Sequence, residues 1–269
     1  MDYSVTLIGF GEAAINFVEA SPCNVGFRAF DILTEKPGNA SPDGDELHSK
    51  HADYARMRVV GCTSNAAAAE NSHYILSLVT ADQALAAART SAQSIARDAF
   101  YFDMNSVAPY TKRAAAELID EAGGRYVDVA IMAPVDPLRL AVPLLVSGPH
   151  ADSGAAALMV IGFTDVRVVG NDVGQASSIK MIRSVMVKGQ EALTAEMMMA
   201  AEQAGVVDEV LGSLGDGWDV KAEYNLERMR THGNRRAAEM EEVAKTLSAL
   251  GIQPLMTNGT IQRQREMAA

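Results

Sequence analysis

The chain has 269 residues, of which 48% are apolar, 21% charged and 6% aromatic, an ordinary globular composition that excludes disorder and collagen-like repeats. Lys plus Arg number 23 and Asp plus Glu 34, a formal net charge of −11, so tracking a phosphate backbone is disfavoured and nucleic acid is not expected as the main partner. Two cysteines, Cys23 and Cys62, exclude a disulfide scaffold and read as reduced cytosolic thiols.

Membrane insertion is not expected either. The longest apolar candidate, residues 153–164, falls short of the ~18 residues a span needs and holds two glycines. The N-terminal stretch lacks a basic segment followed by a long apolar one, so no signal peptide is expected, and a soluble cytoplasmic protein is the natural reading.

In chain order, residues 5–8 form a β-branched run that predicts a buried strand ending at Gly9. Residues 12–20 predict a helix closed by Ser21-Pro22, and 27–33 a second strand. Residues 34–53 carry Pro, Gly, Asn and Asp without an apolar period and predict mostly loop. Strands follow at 59–60, 74–79 and 99–103, with an Ala-rich helix over 81–97 between the last two. A helix over 107–122 is stopped by Gly123-Gly124, and strands are expected at 125–128, 143–147 and 166–169.

Strands alternating with helices imply β-α-β units and a largely parallel sheet. Beyond residue 170 the pattern changes to long helices, one over 173–204 and one or two over 219–250. The expected architecture is α/β: an N-terminal Rossmann dinucleotide-binding domain over 1–170, then an all-helical substrate and dimerisation domain over 171–269, entered by a long helix.

Gly9-Phe10-Gly11-Glu12-Ala13-Ala14 fits G-x-G-x-x-A directly after a predicted strand and at the opening of a helix. Gly9 permits a tight turn, Gly11 lets the backbone approach a pyrophosphate, and small Ala14 lets the helix pack on the sheet with its N-terminus facing the anion. Asp31, twenty residues after Gly11 at the end of the second strand, stands where a carboxylate meets the adenosine ribose. It repels a 2′-phosphate, which favours NAD over NADP, although Arg28 and Lys36 are near enough in sequence to meet a phosphate. The competing reading is a glycine turn in an unrelated α/β fold, with Asp31 a solvated strand end.

Ser177, Lys180 and Ser184 are spaced i, i+3, i+7 and share one face of the long helix, a cation flanked by two hydroxyls. Apolar Ile179, Met181, Ile182, Val185 and Met186 around them indicate a largely buried helix. A lysine so placed serves either as a general acid/base on a substrate hydroxyl or as an edge lysine reaching solvent.

With these motifs in view the chain resembles the β-hydroxyacid dehydrogenases, the group around the 3-hydroxyisobutyrate and 6-phosphogluconate dehydrogenases. The resemblance spans nearly the whole length: the glycine loop, Ser77-Leu78-Val79-Thr80-Ala81-Asp82-Gln83-Ala84, Asp103-Met104-Asn105-Ser106-Val107-Ala108-Pro109, and residues 174–184. It looks closest to the branch with a phosphogluconate-dehydrogenase-like C-terminal domain, whose signature is similar to residues 228–240. The resemblance implies a Rossmann domain joined by a long helix to a helical domain that builds a homodimer. It maps the family's general acid/base lysine onto Lys180, cofactor contacts onto Gly9, Phe10, Gly11, Glu12, Ala13, Asp31, Val79, Thr80 and Asn105, and a position beside the nicotinamide onto Ser106.

Three departures bear on the substrate. Two asparagines common in the family after the lysine are here Arg183 and Ser184. The family's D-A-P-V-S-G-G loop reads Asp128-Val129-Ala130-Ile131-Met132-Ala133-Pro134, which places Met132 at the serine position. The C-terminal Lys-Asp pair corresponds to Ala238-Glu239, preceded by His232, Arg235 and Arg236. Arg183, His232 and Arg235 are candidates for binding a substrate carboxylate or other anion, or equally an interhelix salt-bridge set with Glu227 and Glu239. The candidate substrate residues are therefore Ser106, Met132, Ser177, Arg183, Ser184, His232 and Arg235.

His48-x-x-His51 followed by Asp53 lacks a third firm ligand, so no metal is expected. Met186 and Met197-Met198-Met199 read as helix core or dimer face, and the charge run 239–245 as a solvated helix face. The expected function is an NAD(P)-dependent oxidoreductase acting on a small, anionic β-hydroxy acid or related alcohol. The alternatives are a redox-neutral lyase or isomerase with tightly bound NAD, and a non-catalytic dinucleotide sensor.

Overall fold

The computed structural model describes residues 4–22, 25–35 and 50–268. The chain divides into two compact units, residues 1–178 and 179–269. The first turn of the long helix belongs to unit 1, where it is hydrogen-bonded to side chains of two strands.

Unit 1 runs β1 (Ser4–Ile8), α1 (Glu12–Ala20), β2 (Gly26–Phe30), α2 (Lys50–Met57), β3 (Val60–Gly61), α3 (Asn65–Ala69), β4 (Tyr74–Ser77), α4 (Ala84–Ala92), β5 (Phe100–Asp103), α5 (Pro109–Glu121), β6 (Arg125–Ile131), α6 (Val135–Leu138), β7 (Leu144–Ser147), α7 (Ala151–Ile161) and β8 (Val166–Gly170). Its sheet has the order β3-β2-β1-β4-β5-β6-β7-β8. All neighbours are parallel except β6 and β7, which pair antiparallel.

Strand side chains alternate between the two faces with period two. Phe102 and Val127 enter one core with Val5, Leu7 and Phe17. Tyr101 and Tyr126 enter the other with Ile8, Ile75 and Ile119. Buried Thr6 is satisfied by the Ala68 carbonyl at 3.1 Å and by Ser72.

Several boundaries differ from expectation for local reasons. The second strand stops at Phe30 rather than 33, because Asp31 turns the chain: its carbonyl accepts from Thr34 N at 2.9 Å and its Oδ1 from Leu33 N at 3.0 Å. Inside the stretch predicted as loop, α2 begins at Lys50. The helix expected over 81–97 is a 3₁₀ turn at Ala81–Gln83 followed by α4, which ends at Ala92. The apolar run at 153–164 belongs largely to α7, which packs on the sheet through Leu158 and Ile161.

Unit 2 comprises most of α8 (Gln175–Ala204), then α9 (Val207–Leu214), α10 (Trp218–Ala249) and α11 (Leu255–Met267). Its buried apolar groups are small: Met181, Met240, Val243 and Leu247 in one, Ala192, Ala195, Leu226 and Met229 in another. Helices α10 and α11 approach closely at Gly233, where a Cβ would stand 2.3 Å from the Gln264 carbonyl oxygen. The charge run 239–245 is not a fully solvated face: Glu242 is buried and Glu239 turns toward α8, because the stripe Met240, Val243 and Leu247 faces the core and carries these neighbours with it.

Candidate cofactor and lysine sites

In an open α/β sheet, ligands bind beyond the carboxyl ends of strands where the strand order reverses. Here that point lies between β1 and β4. The glycine loop follows β1, Asp31 follows β2, Val79 and Thr80 follow β4, and Asn105 follows β5. The expected dinucleotide-binding residues thus lie along one end of the sheet.

The two loop glycines differ in what requires them. Gly9 has φ +88°, donates to the Phe30 carbonyl at 2.8 Å, and a Cβ there would meet the Leu78 carbonyl oxygen at 2.5 Å. The fold itself demands glycine at this position. Gly11 precedes α1, and a Cβ on it would meet nothing within 4 Å. No side-chain hydrogen bond caps the N-terminus of α1, an arrangement that fits an anion. Ala13 packs partly on the core, Ala14 is fully buried, and Glu12 is exposed in the first turn.

Asp31 is buried and fixed from both sides. Its Oδ2 accepts from Phe10 N at 2.8 Å and its Oδ1 from Leu33 N at 3.0 Å. The Phe10 N–H is therefore committed to Asp31, and the Phe10 carbonyl accepts from Lys50 Nζ at 2.8 Å. Tyr54 lies behind the loop with its ring 5.0 Å from that of Phe10; burial and the Asp31 charge push its hydroxyl well above its usual pKa. Arg28 is not available to a phosphate, because it donates to the Ala67 and Glu70 carbonyls at 2.8 and 2.9 Å. Lys36 lies outside the described residues.

At the β4–β5 edge, Val79 N donates to Asn105 Oδ1 at 2.7 Å, while Asn105 Nδ2 donates to Ser77 Oγ at 3.0 Å and to Asp103 Oδ1 at 2.8 Å. Thr80 is exposed, and hydrogen bonds from it and from Gln83 hold the Asp82 carboxyl below its usual range. Ser106 is half-buried.

The start of α8 is anchored in unit 1. Asp128 Oδ2 accepts from Gly174 N, Ser177 N and Ser177 Oγ, each at 3.1 Å, and from Ser147 Oγ at 3.0 Å. The Ser177 hydroxyl is thus committed to a helix cap, where sequence spacing had placed it in a substrate site. Met132 packs against Ala130, Leu145 and Ala176.

One turn further along α8, within unit 2, Lys180, Ser184 and Lys188 follow at i, i+4 and i+8. Lys188 Nζ is 2.8 Å from Glu239 on α10 and 3.5 Å from Ser184 Oγ, which itself donates to the Lys180 carbonyl at 2.9 Å. Burial raises the Glu239 pKa, but the charges of Lys188, Lys180 and Arg235 outweigh it and hold the carboxyl down at about 2. Three cations thus act on one carboxylate in a strongly acidic chain. His232 lies half-buried on α10, and Arg183 is exposed.

A buried ion pair joins α8 and α10 within unit 2. Arg236 pairs with Glu191, Nε to Oε2 at 2.9 Å, and Gln264 Nε2 donates to the same oxygen at 2.9 Å. Glu227 accepts from Thr231 at 2.8 Å and lies 3.9 Å from Arg230 on the same helix. Of the metal candidates, His48 lies outside the described residues and Asp53 is bonded to Lys50 and Arg56.

Sequence reading did not single out Lys50, Lys112 or Lys188. Lys112 is detectable in retrospect: it shares the stripe Pro109, Lys112, Ala116, Ile119, at i, i+3, i+7, i+10, that faces the sheet.

A family model described as a domain of unknown function (DUF1932) matches residues 201–267. An uncharacterized 28.5 kDa protein of the 7S RNA 5′ region from Methanothermus fervidus is 30% identical over 196 residues, 71% of this chain and 74% of that protein. Among solved structures, a conserved hypothetical protein from Sinorhizobium meliloti 1021 is 35% identical with a TM-score of 0.74, covering 98% of this chain and 88% of that one. MTH1747, a conserved protein of unknown function reported as structurally similar to 3-hydroxyacid dehydrogenases, is 29% identical with a TM-score of 0.69, covering 98% and 96%. The 3-hydroxyisobutyrate dehydrogenase of Mycobacterium tuberculosis, at 15% identity and a TM-score of 0.73 over 100% of this chain and 94% of that one, shares the fold.

Proposed function

The chain belongs to the β-hydroxyacid dehydrogenase family, and from that premise we propose that it is a nicotinamide-dependent oxidoreductase oxidising a β-hydroxy acid or related alcohol, or running the reverse reduction. The observation that carries this reading is the glycine loop, with no side-chain cap on α1 and room at Gly11, beside the fixed Asp31 carboxylate at the reversal of strand order. A pyrophosphate suits the N–H groups of Gly11, Glu12 and Ala13, and the adenosine ribose suits Asp31, whose oxygens keep accepting capacity beside their two backbone bonds. Val79, Thr80 and Asn105 serve the nicotinamide side.

The bound dinucleotide supplies a hydride acceptor or donor. Lys180 takes the substrate hydroxyl proton at Nζ in oxidation and returns it in reduction. The excess of cations around Glu239 suits an anionic substrate, with Arg235 and His232 at hand on α10. NAD is favoured over NADP, because Asp31 repels a 2′-phosphate and Arg28 is committed elsewhere. No described helix is long and apolar enough to cross a membrane, and the proposal includes a cytoplasmic location. It also includes a homodimer: Ile179, Ile182, Met186 and Leu193 form an exposed apolar stripe on α8.

The test compares wild type with Lys180→Ala, using NAD and NADP against a panel of β-hydroxy acids and following reduced cofactor. Turnover with NAD that falls by about 10²–10⁴ in the variant, with cofactor binding retained, is expected. Turnover indifferent to Lys180 overturns its role. Tight cofactor binding without net reduction points to redox-neutral chemistry or sensing.

A further inference from the structure

Lys112 is fully buried, and its ammonium reaches oxygens at the end of β5 and in the middle of β6. Nζ lies 2.9 Å from Asp103 Oδ1 and 3.4 Å from Asp128 Oδ1, and it also donates to the Asp103 and Val129 carbonyls. Both carboxylates are as buried as the lysine. One buried ammonium thus stands between two buried carboxyl groups that come from different strands.

Each carboxylate then holds a different piece of backbone. Asp103 Oδ1 accepts from Asn105 N at 3.0 Å and Asn105 Nδ2 at 2.8 Å, its Oδ2 accepts from Tyr126 OH at 2.8 Å, and Asn105 in turn holds Val79 N at 2.7 Å. Asp128 Oδ2 caps α8 through Gly174 N and Ser177 N, one turn before Lys180. We propose that Lys112 is a positioning residue that sets two separate parts of the machinery with one buried charge: the Val79–Asn105 edge through Asp103, and the lysine-bearing start of α8 through Asp128. The proposal rests on the dehydrogenase reading for what these parts do, but not for the coupling between them.

The arms separate by substitution. Asp103→Asn loosens the first and Asp128→Asn the second; Lys112→Met with Asp128→Asn removes the ammonium while retiring one of the two charges, a milder change than Lys112→Met alone if that variant does not fold. Amide hydrogen exchange reads the coupling directly, without substrate or cofactor. Asp103→Asn is expected to speed exchange at Val79 about tenfold and leave Gly174 and Ser177 alone, and Asp128→Asn to do the reverse. The lysine replacement, alone or in the double variant, speeds both.

NADH titration and steady-state kinetics on the same proteins then show the split that a merely structural role would not produce. Asp103→Asn weakens NADH binding about tenfold, whereas Asp128→Asn lowers kcat with the NADH Kd unchanged. Exchange at Val79 unchanged in the lysine variants, or equal acceleration at all three amides in both single carboxylate variants, overturns the proposal. A wild type that binds neither NADH nor NADPH defeats the dehydrogenase reading instead, and the exchange pattern still decides the coupling.

Discussion

The two units bury charge in different settings. Unit 1 places Lys112 of α5 against Asp103 and Asp128 of two neighbouring strands inside a thick core, among aromatic side chains such as Tyr101, Phe102 and Tyr126 that are themselves fully buried. Unit 2 places Glu191 and Arg236 between helices whose apolar groups are thin, while Met186 at 63% and Leu193 at 57% stay exposed along α8. In unit 1 the charges orient backbone within a fold that hydrophobic burial already supports. In unit 2 the ion pair itself is a principal tie between α8 and α10, and the exposed stripe offers further burial through association.

That contrast breaks most visibly at Arg236. Arg236→Leu strands Glu191, which is only 4% exposed, and is expected to cost about 3–5 kcal/mol in urea unfolding; a loss under ~1 kcal/mol would show that apolar contacts already hold unit 2 together. In unit 1, Gly9→Ala combines a left-handed backbone with a clash on the Leu78 carbonyl and should cost about 2–4 kcal/mol, read from the same experiment.

Glu239 sharpens the comparison through pH. Its pKa, ordinarily 4.5, is held at about 2 in the fold, so its pair with Lys188 contributes stability above pH 4.5 that is lost as pH falls toward 2. Wild type should exceed Glu239→Gln by roughly 2–3 kcal/mol at pH 6 and lose that margin by pH 2, as denaturation midpoints across the range will show.

Smaller effects on stability separate binding from folding. Gly11→Ala should change stability by less than about 1 kcal/mol, because nothing opposes its Cβ, yet weaken NADH binding in a fluorescence titration. Met186→Glu should leave the fold within about 0.5 kcal/mol and convert a dimer to a monomer in light scattering. A wild type that is already monomeric removes α8 as the dimer face.

Much of unit 1 was legible because its signals are local. The strand over 5–8, the glycine turn and the helix over 12–20 follow one another within sixteen residues, and each is carried by its own residue types. The second strand ends earlier than expected because apolar Ile32 and Leu33 extend the run past Asp31, whereas Asp31 turns the chain through bonds to Phe10 and Leu33. Ser177 looked like a substrate contact on helix spacing alone, and only the approach of Asp128, 49 residues away in sequence, makes it a cap.

The sequence by itself determined the order of elements, the change from alternating strands to helices, and the glycine loop with its acidic partner, since these depend on periodicity and on residues close along the chain. The tertiary structure alone decided which charges are buried and what they hold. Lys112 and Lys188 are ordinary helix lysines until strands or a second helix bring carboxylates to them, because the energy of a charge is set by the groups that replace its water, and most of those come from elsewhere in the chain.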